Sequence, residues 1–211
     1  MPPGLLTEPD GTARCWWCAA TPEYRAYHDD EWGRPVTDDR TLFGKFVLET
    51  FQSGLSWLTV LRKRENFRRA FCGFDFEQVA RFNRRSVERL LRDEGIIRNR
   101  AKIEAAINNA KRACELVEEA GSLAAFLWRY EPDPATRPAV LTRERLLTMA
   151  TSPESVQLGK DLKARGWTFV GPTTLYAHMQ AMGVVNDHLH GCHVREEVLE
   201  LRRHLAVPGR H

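Results

Sequence analysis

Glu49 is the residue whose position most strongly suggests chemistry. It closes an apolar segment that starts near Asp38, and on a helical period of about 3.6 residues it shares a stripe with Leu42 and Phe46. A buried carboxylate is costly unless it is paired or hydrogen-bonded. The position therefore allows two interpretations: a carboxylate that binds a ligand, or a core glutamate that pairs with a nearby arginine or caps a backbone amide.

The residues after Glu49 favour a ligand. A glycine break at Gly54 is followed by the apolar Leu55 and then by Trp57, all within nine positions counted from Glu49. A carboxylate, an apolar wedge and an aromatic plate are what a pocket for a flat, electron-poor ring needs. This stretch therefore predicts a pocket for a cationic or electron-poor aromatic ligand.

A second group of residues could bind a metal. His188 and Cys192 are four positions apart, so one helical turn would place both on one face. Two ligands do not fill a tetrahedral zinc site, and Cys15 and His28 near the other end of the chain would complete it. A closed Cys2His2 site would be structural and would join the two chain ends. The other candidate ligands are Cys18, His190 and His193, and buried or solvated Cys and His without a metal remain the alternative.

A third feature is a short helix from Ser86, a turn that begins at Gly95, and a long helix that carries Ile103. This order predicts a helix-hairpin-helix, whose second helix offers free backbone N–H groups to a phosphate. The turn supplies apolar contacts and nearby positive charge. The alternative is an ordinary corner between two helices with a solvated basic face. The residues concerned are Ile96, Ile97, Arg98, Arg100 and Lys102.

Composition limits the classes of protein. The 211 residues suffice for one domain or two closely packed lobes, and a net charge of +3 is compatible with nucleic-acid binding. An apolar run of about 18 residues is absent, which argues against a membrane span. The first twelve residues lack a signal-peptide pattern, and five cysteines favour a reduced cytosol. Motifs of zinc proteases, deaminases and P-loop enzymes are absent from the sequence.

The rest of the chain predicts an all-α fold. Helix starts are expected at Asp38 or Asp39, Ser56, Asp75, Ser86, Ser122, Ser152 and Pro172. Residues 1–13 are expected to be a disordered lead-in, and the aromatic segment up to Pro35 an irregular arm. Residues 131–142 are expected to form a loop, and 196–211 a charged C-terminal tail. A multi-stranded sheet is not expected.

Several stretches together resemble one family. They occur in the family's order over residues 14–195 and are Arg14–Trp17, Tyr27–Gly33, Gln52–Trp57, Lys63–Phe67, Gly95–Arg100, Arg165–Trp167, Phe169–Gly171 and Val185–His188. The chain resembles bacterial 3-methyladenine DNA glycosylase I, of the helix-hairpin-helix DNA glycosylase superfamily. It departs from the family's pattern at Cys18, at His178, where an aromatic residue is expected, and over 132–150.

The resemblance implies a role for each site residue. Glu49 would be the catalytic carboxylate at the base edge, and Leu55 would fill the gap left by a flipped nucleotide. The resemblance implies that structural Zn²⁺ is held by Cys15, His28, His188 and Cys192, in a lobe formed by about 14–35 and 172–195. It implies a substrate pocket of Tyr27, Trp57, Tyr24 and Trp17, and DNA contacts from Leu55, Gly95, Ile97, Arg98, Arg100 and Lys102.

The implied activity is hydrolysis of the N-glycosidic bond of N3-methyladenine, flipped out of alkylated double-stranded DNA. A lyase step is not expected, because the helix that follows the hairpin lacks an Asp and Lys102 would be a phosphate-binding or structural lysine. The chain is expected to be a cytoplasmic bacterial monomer. Two alternatives remain, namely a non-catalytic zinc-stabilised helix-hairpin-helix DNA-binding module and a zinc hydrolase. The hydrolase would need an open coordination position.

Overall fold

Helices form nearly all the regular structure within residues 4–209, the part of the chain that the computed structural model describes. None of these helices is both long and apolar enough to cross a membrane. The helices are α1 (Pro22–Asp30), α2 (Asp39–Gln52), α3 (Trp57–Ala70), α4 (Phe76–Ala80), α5 (Arg84–Arg92), α6 (Arg100–Ala120), α7 (Leu123–Leu127), α8 (Arg143–Leu147), α9 (Pro153–Ala164), α10 (Pro172–Ala181) and α11 (Arg195–Arg203).

Most helices begin where the sequence predicts. The side chains of Asp38, Ser56, Asp75 and Ser152 each accept a hydrogen bond from a backbone N–H in the first turn of the helix that follows. Helix α5 is the exception, because Asn83 rather than Ser86 is its N-cap. Ser86 instead completes a capping box with Asn83.

Helix α2 lies at the centre of the main core. Every residue from Leu42 to Phe51 is buried, and the helix packs against α3, α6, α7 and α10. Phe51 packs in the core against Phe67 and Phe71, at the end of α3, with its ring tilted to theirs. Glu49 is therefore positioned by a helix that the core holds on nearly all sides.

The N-terminal segment is more ordered than the sequence predicts. Strand β1 (Leu5–Thr7) pairs antiparallel with β2 (Ala13–Cys15), so the expected disordered lead-in over 1–13 is wrong for its described part, and residues 1–3 lie outside the described residues. The hairpin forms because Leu5 and Cys15 pack into a second small core. The expected irregular arm is also wrong, because a 3-10 turn (Trp16–Ala20) and helix α1 cover most of it.

This second core draws partly on other residues than the lobe expected over about 14–35 and 172–195. It combines residues of the hairpin with residues far along the chain, which are Leu141, Leu189, Cys192, Val194 and Val198. Helix α10, which the sequence places in the zinc lobe, instead buries Leu175, Tyr176 and Met179 in the main core. The tail expected from 196 onward continues α11, whose Val198 is fully buried.

Candidate functional site

An aromatic cavity of about 370 Å³ lies beside the end of α2. The structure brings Glu49 together there with all four aromatic residues of the predicted pocket, which are Trp17, Tyr24, Tyr27 and Trp57. Helix α1 supplies the two tyrosines, and Trp57 is the first residue of α3. The further wall residues, which the sequence reasoning did not identify, are Trp16, Trp32, Gln52, Leu146, Leu147, Ala177 and Gln180.

The rings of the pocket hold one another in place. Tyr27 and Trp57 have centroids 5.3 Å apart, and Trp17 meets Tyr24 edge to face at 6.0 Å. The backbone N–H of Leu58 donates to the Tyr24 hydroxyl at 3.1 Å, which ties α1 to the start of α3. The pocket is thus assembled by tertiary packing of three segments and not by one local motif.

Glu49 has a buried cationic partner that the sequence reasoning missed. Nζ of Lys45 lies 2.8 Å from Oε1 of Glu49, one helical turn away, and both side chains are about 5% exposed. The same Nζ donates to the Tyr27 hydroxyl at 2.9 Å and lies 3.4 Å from the ring centroid of Trp57. The spacing of four positions on a helix could have revealed this pair. Glu49 therefore combines the two interpretations left open by the sequence: it is paired, and it faces the cavity.

Burial and the ion pair shift the pKa values of Lys45 and Tyr27. Burial lowers the pKa of Lys45, and the charge of Glu49 opposes that shift. Burial raises the pKa of the Tyr27 phenol well above its ordinary value, and Glu49 raises it further. Tyr27 is therefore a neutral hydroxyl that can accept a hydrogen bond from the ammonium of Lys45.

The loop after α2 presents Leu55 to solvent. Its side chain is 40% exposed, although large apolar residues are usually buried. Gly54 makes the turn with a φ of +80°, and the side chain of Gln52 donates to the Leu55 carbonyl at 2.9 Å. Because Gln52 lines the cavity, this hydrogen bond places the exposed Leu55 on the loop beside it, which suits the predicted wedge.

Lys102 takes a different place from the predicted DNA contact. Its side chain is buried, and Nζ donates to the carbonyls of Phe51 and Ser53 at 2.9 and 2.6 Å. These bonds satisfy acceptors at the C-terminal end of α2, where a positive charge is favourable. Lys102 therefore anchors the loop of Leu55 to the start of α6, which is the structural role that the sequence left open.

The predicted hairpin connects α5 and α6 at residues 93–99. Asn99 caps α6 by accepting from the Lys102 backbone N–H, and Lys63 of α3 donates to the carbonyls of Glu94 and Gly95. Ile96 is buried and Ile97 is partly buried in the main core. The exposed guanidinium groups pair with surface carboxylates, Arg98 with Glu94 and Arg100 with Glu88 and Glu104.

The four predicted metal ligands meet in one buried cluster. One ligand atom from each of Cys15, His28, His188 and Cys192 lies within 4.8 Å of the others. Nε2 of His28 is 3.2 Å from Nδ1 of His188, and Sγ of Cys192 is 3.5 and 3.7 Å from these nitrogens. Tetrahedral zinc with ordinary bond lengths requires about 3.3 to 3.8 Å between its ligand atoms, so this donor set fits zinc.

Neighbouring groups orient both histidines of the cluster. Nδ1 of His28 donates to Asp29 at 2.7 Å, and Nε2 of His188 donates to the Trp32 carbonyl at 2.9 Å, so the remaining ring nitrogens face the cluster. Gly33, with a φ of +82°, comes so close to His188 that a Cβ would lie 2.9 Å from Nε2. Burial lowers the pKa of His188, which keeps the imidazole neutral, as a metal ligand must be.

The sulfur atoms of the cluster are distinguished by their environments. A hydrogen bond from Cys15 lowers the pKa of Cys192, which favours a thiolate there. Burial raises the pKa of Cys18 to about 12, and its thiol donates to the Cys15 carbonyl at 3.1 Å, so Cys18 is not placed as a ligand. His193 contacts Asp29 from outside.

One detail of the predicted metal geometry is wrong. The segment that carries His188 and Cys192 is not helical but a series of turns. Asp187 holds this segment by accepting hydrogen bonds from Tyr176, Gln180 and Arg137. The two ligands converge because the turns reverse the chain, not because a helix places them on one face.

Comparison with known proteins agrees with this geometry. The family model for methyladenine glycosylase matches residues 17–196. DNA-3-methyladenine glycosylase 1 of Escherichia coli (strain K12) is 46% identical over 180 residues, which cover 85% of this chain and 95% of that protein. The chain belongs to the methyladenine glycosylase family.

Solved structures of the family extend the likeness to the fold. A crystal structure of 3-methyladenine DNA glycosylase I has a TM-score of 0.77 and 44% identity, covering 85% of this chain and 98% of that one. The Staphylococcus aureus enzyme, whose structure addresses 3-methyladenine recognition, has a TM-score of 0.77 and 34% identity, covering 84% and 95%. The helical fold of this methyladenine glycosylase is therefore that of its family.

Proposed function

We propose that this chain hydrolyses the N-glycosidic bond of N3-methyladenine in alkylated duplex DNA and leaves an abasic site. The observation that carries the proposal is the position of Glu49, a carboxylate in the wall of a cavity lined by Tyr27 and Trp57. Relatives at 46 and 41% identity are DNA-3-methyladenine glycosylases, which supports the same reaction here.

The chemistry of the lesion suits these residues. N3-methylated adenine carries a positive charge in DNA, so its bond to the sugar is already weakened and the base leaves neutral. The faces of Tyr27 and Trp57 attract a cationic ring, with about 0.5 to 2 kcal/mol for each contact. Glu49 accepts a hydrogen bond from the exocyclic amine and stabilises the positive charge that develops on the sugar. Water then attacks C1′ and loses a proton.

The base must leave the helix before it reaches the cavity. Unstacking costs a few kcal/mol, and an apolar side chain that fills the gap lowers that cost. We assign this role to Leu55, which is exposed on the loop that follows α2. Gly95, Ile97, Arg98 and Arg100 are the proposed backbone contacts, because the start of α6 offers N–H groups and positive charge to phosphates.

We further propose one structural Zn²⁺ for each chain, held by Cys15, His28, His188 and Cys192. Zinc would supply a closed cross-link that joins strand β2 and helix α1, through Cys15 and His28, to the segment after α10. Four protein ligands leave no open position, which argues against a zinc hydrolase. All of these donors and the cavity belong to one chain, so we infer that the protein acts as a monomer.

Base release from methylated duplex DNA, resolved by chromatography, tests the proposal. The expected product is free 3-methyladenine, with abasic sites that break only after alkali because a lyase step is absent. The absence of base release from folded, zinc-loaded protein that still binds DNA would favour a non-catalytic DNA-binding module instead.

A further inference from the structure

Lys45 occupies an unusual environment for a lysine. Its ammonium has three acceptors around it: Oε1 of Glu49 at 2.8 Å, the Tyr27 hydroxyl at 2.9 Å and the face of Trp57 at 3.4 Å. An ammonium has three N–H donors, so each can be used. A lysine that is 5% exposed and fully partnered is a fixed positive charge at this position.

The charge lies on the far side of the ring wall from the aromatic cavity. Lys45 lines a separate cavity of about 90 Å³, and Tyr27 and Trp57 line both this cavity and the larger one. These two rings, together with Glu49, therefore stand between the ammonium and the space for the base. A base stacked on the other side of Trp57 would lie about 7 Å from Nζ, within the range of a weakly screened charge.

Other charges near Lys45 largely cancel. Two arginines of α3 line the same small cavity, and each is paired: Arg64 with Glu31 at 2.5 Å and Arg68 with Glu65 at 3.3 Å. Glu49 is the direct partner of Lys45 on α2. The site thus contains one carboxylate and one ammonium before the substrate binds, and a cationic base adds a second positive charge.

We propose that Lys45 speeds departure of the base by raising the energy of the positive charge that the bound base carries. This inference rests on the proposed function. When the bond between C1′ and the base breaks, its electron pair moves to the base and cancels the positive charge there, while the sugar becomes cationic and is then captured by water, which loses a proton. A fixed ammonium behind Trp57 repels the charge while it is on the base.

Lys45 is expected to act in opposite directions on substrate binding and on bond cleavage. Lys45 raises the energy of the bound cationic substrate more than that of the transition state, in which the charge has moved to the more distant sugar. It therefore speeds cleavage and weakens binding of the intact lesion. A purely structural lysine would instead improve both binding and cleavage, because it would only hold Glu49 and Trp57 in place.

Single-turnover excision from a duplex with one N3-methyladenine separates these roles, because its dependence on enzyme concentration gives a half-saturation constant and a maximum rate. For Lys45→Met we expect a half-saturation constant about threefold to tenfold lower and a maximum rate about tenfold lower. Lys45→Arg, which keeps the charge, should stay within about threefold of wild type in both. A higher half-saturation constant together with a lower rate in Lys45→Met would overturn the inference.

A second comparison avoids an unpaired buried carboxylate. Lys45→Met is introduced into Glu49→Gln, so that neither charge remains, and the double variant is compared with Glu49→Gln alone. A lower half-saturation constant in the double variant supports the inference, and an unchanged or higher one contradicts it. If wild type releases no 3-methyladenine, the proposed function is wrong. If wild type is active and Lys45→Met has the same constants, the proposed function stands and the inference about Lys45 is wrong.

Discussion

At the residue scale, Glu49 is paired with Lys45 inside the core and also lines the aromatic cavity. The core stripe of Leu42, Phe46 and Glu49 correctly predicted a buried carboxylate. The pattern could not show that Glu49 opens onto a cavity, because that depends on rings from α1 and α3 that meet it only in the fold. The spacing of four positions between Lys45 and Glu49 allows their ion pair to be predicted from the sequence. The contact between Lys45 and Trp57 cannot be predicted in this way.

His178 provides a pH-dependent prediction at the same scale. It is buried against Phe46 with centroids 3.9 Å apart, and Nε2 contacts the Leu42 carbonyl. Burial lowers its pKa to about 3, below its ordinary value of 6.5, so the unfolded chain binds a proton more readily than the folded one. His178 therefore costs no stability above pH 6.5 and destabilises the fold as pH falls below it.

His178→Phe should flatten this dependence. From pH 7 down to about pH 5, the unfolding free energy of wild type should fall relative to the variant by up to about 1.4 kcal/mol for each pH unit below 6.5. Chemical unfolding at several pH values measures the difference, and changes common to both proteins cancel. Parallel curves for the two proteins would show that His178 titrates alike in the folded and unfolded chain.

At the element scale, α2, α3 and α6 set the position of the wedge. Capping residues made most helix boundaries predictable, as with Asp38, Ser56 and Asp75, because a cap is a local interaction. The link from Lys102 to the end of α2 was not predictable, since it spans 49 and 51 positions in sequence. The N-terminal hairpin was missed for the same reason, because its pairing depends on the distant second core.

Lys102→Met tests the assignment of this lysine as an anchor. Two carbonyls would lose their partner, so the unfolding free energy should fall by about 2 kcal/mol, and excision should fall as the loop of Leu55 loses its support. Arg98→Met is the matched control, because Arg98 is exposed on the hairpin just before α6 and its loss should weaken salt-sensitive DNA binding with little change in stability. If Lys102→Met has unchanged stability but binds DNA more weakly, the result would support the predicted phosphate contact of Lys102 instead.

At the scale of the whole molecule, the cluster of Cys15, His28, His188 and Cys192 brings together residues from near both ends of the chain. Spacing alone left Cys18 as a rival and a cluster without metal as the alternative, and the expected helical turn at His188 and Cys192 was wrong. The spacing of Cys and His residues could not predict that Leu141 and Val198 also belong to the second core around this cluster. This small core depends on few apolar contacts, so a metal cross-link should contribute much of its stability.

Cys192→Ala should therefore release the metal and lower stability. We expect about one zinc for each wild-type chain by elemental analysis and none for the variant, together with a clearly lower melting temperature. Cys114→Ala, on α6 and outside the cluster, should keep its zinc. A folded Cys192→Ala protein with a full complement of zinc would remove Cys192 from the ligand set.

The most direct measurement for the whole account is 3-methyladenine release by Glu49→Gln beside wild type. Gln keeps the shape of the side chain but removes its charge, so we expect the single-turnover rate to fall by at least about tenfold while lesion DNA still binds. Glu118→Gln, an exposed glutamate of α6, serves as the matched control and should match wild type. Release by Glu49→Gln at the wild-type rate would contradict the role assigned to this carboxylate, which is the centre of the account.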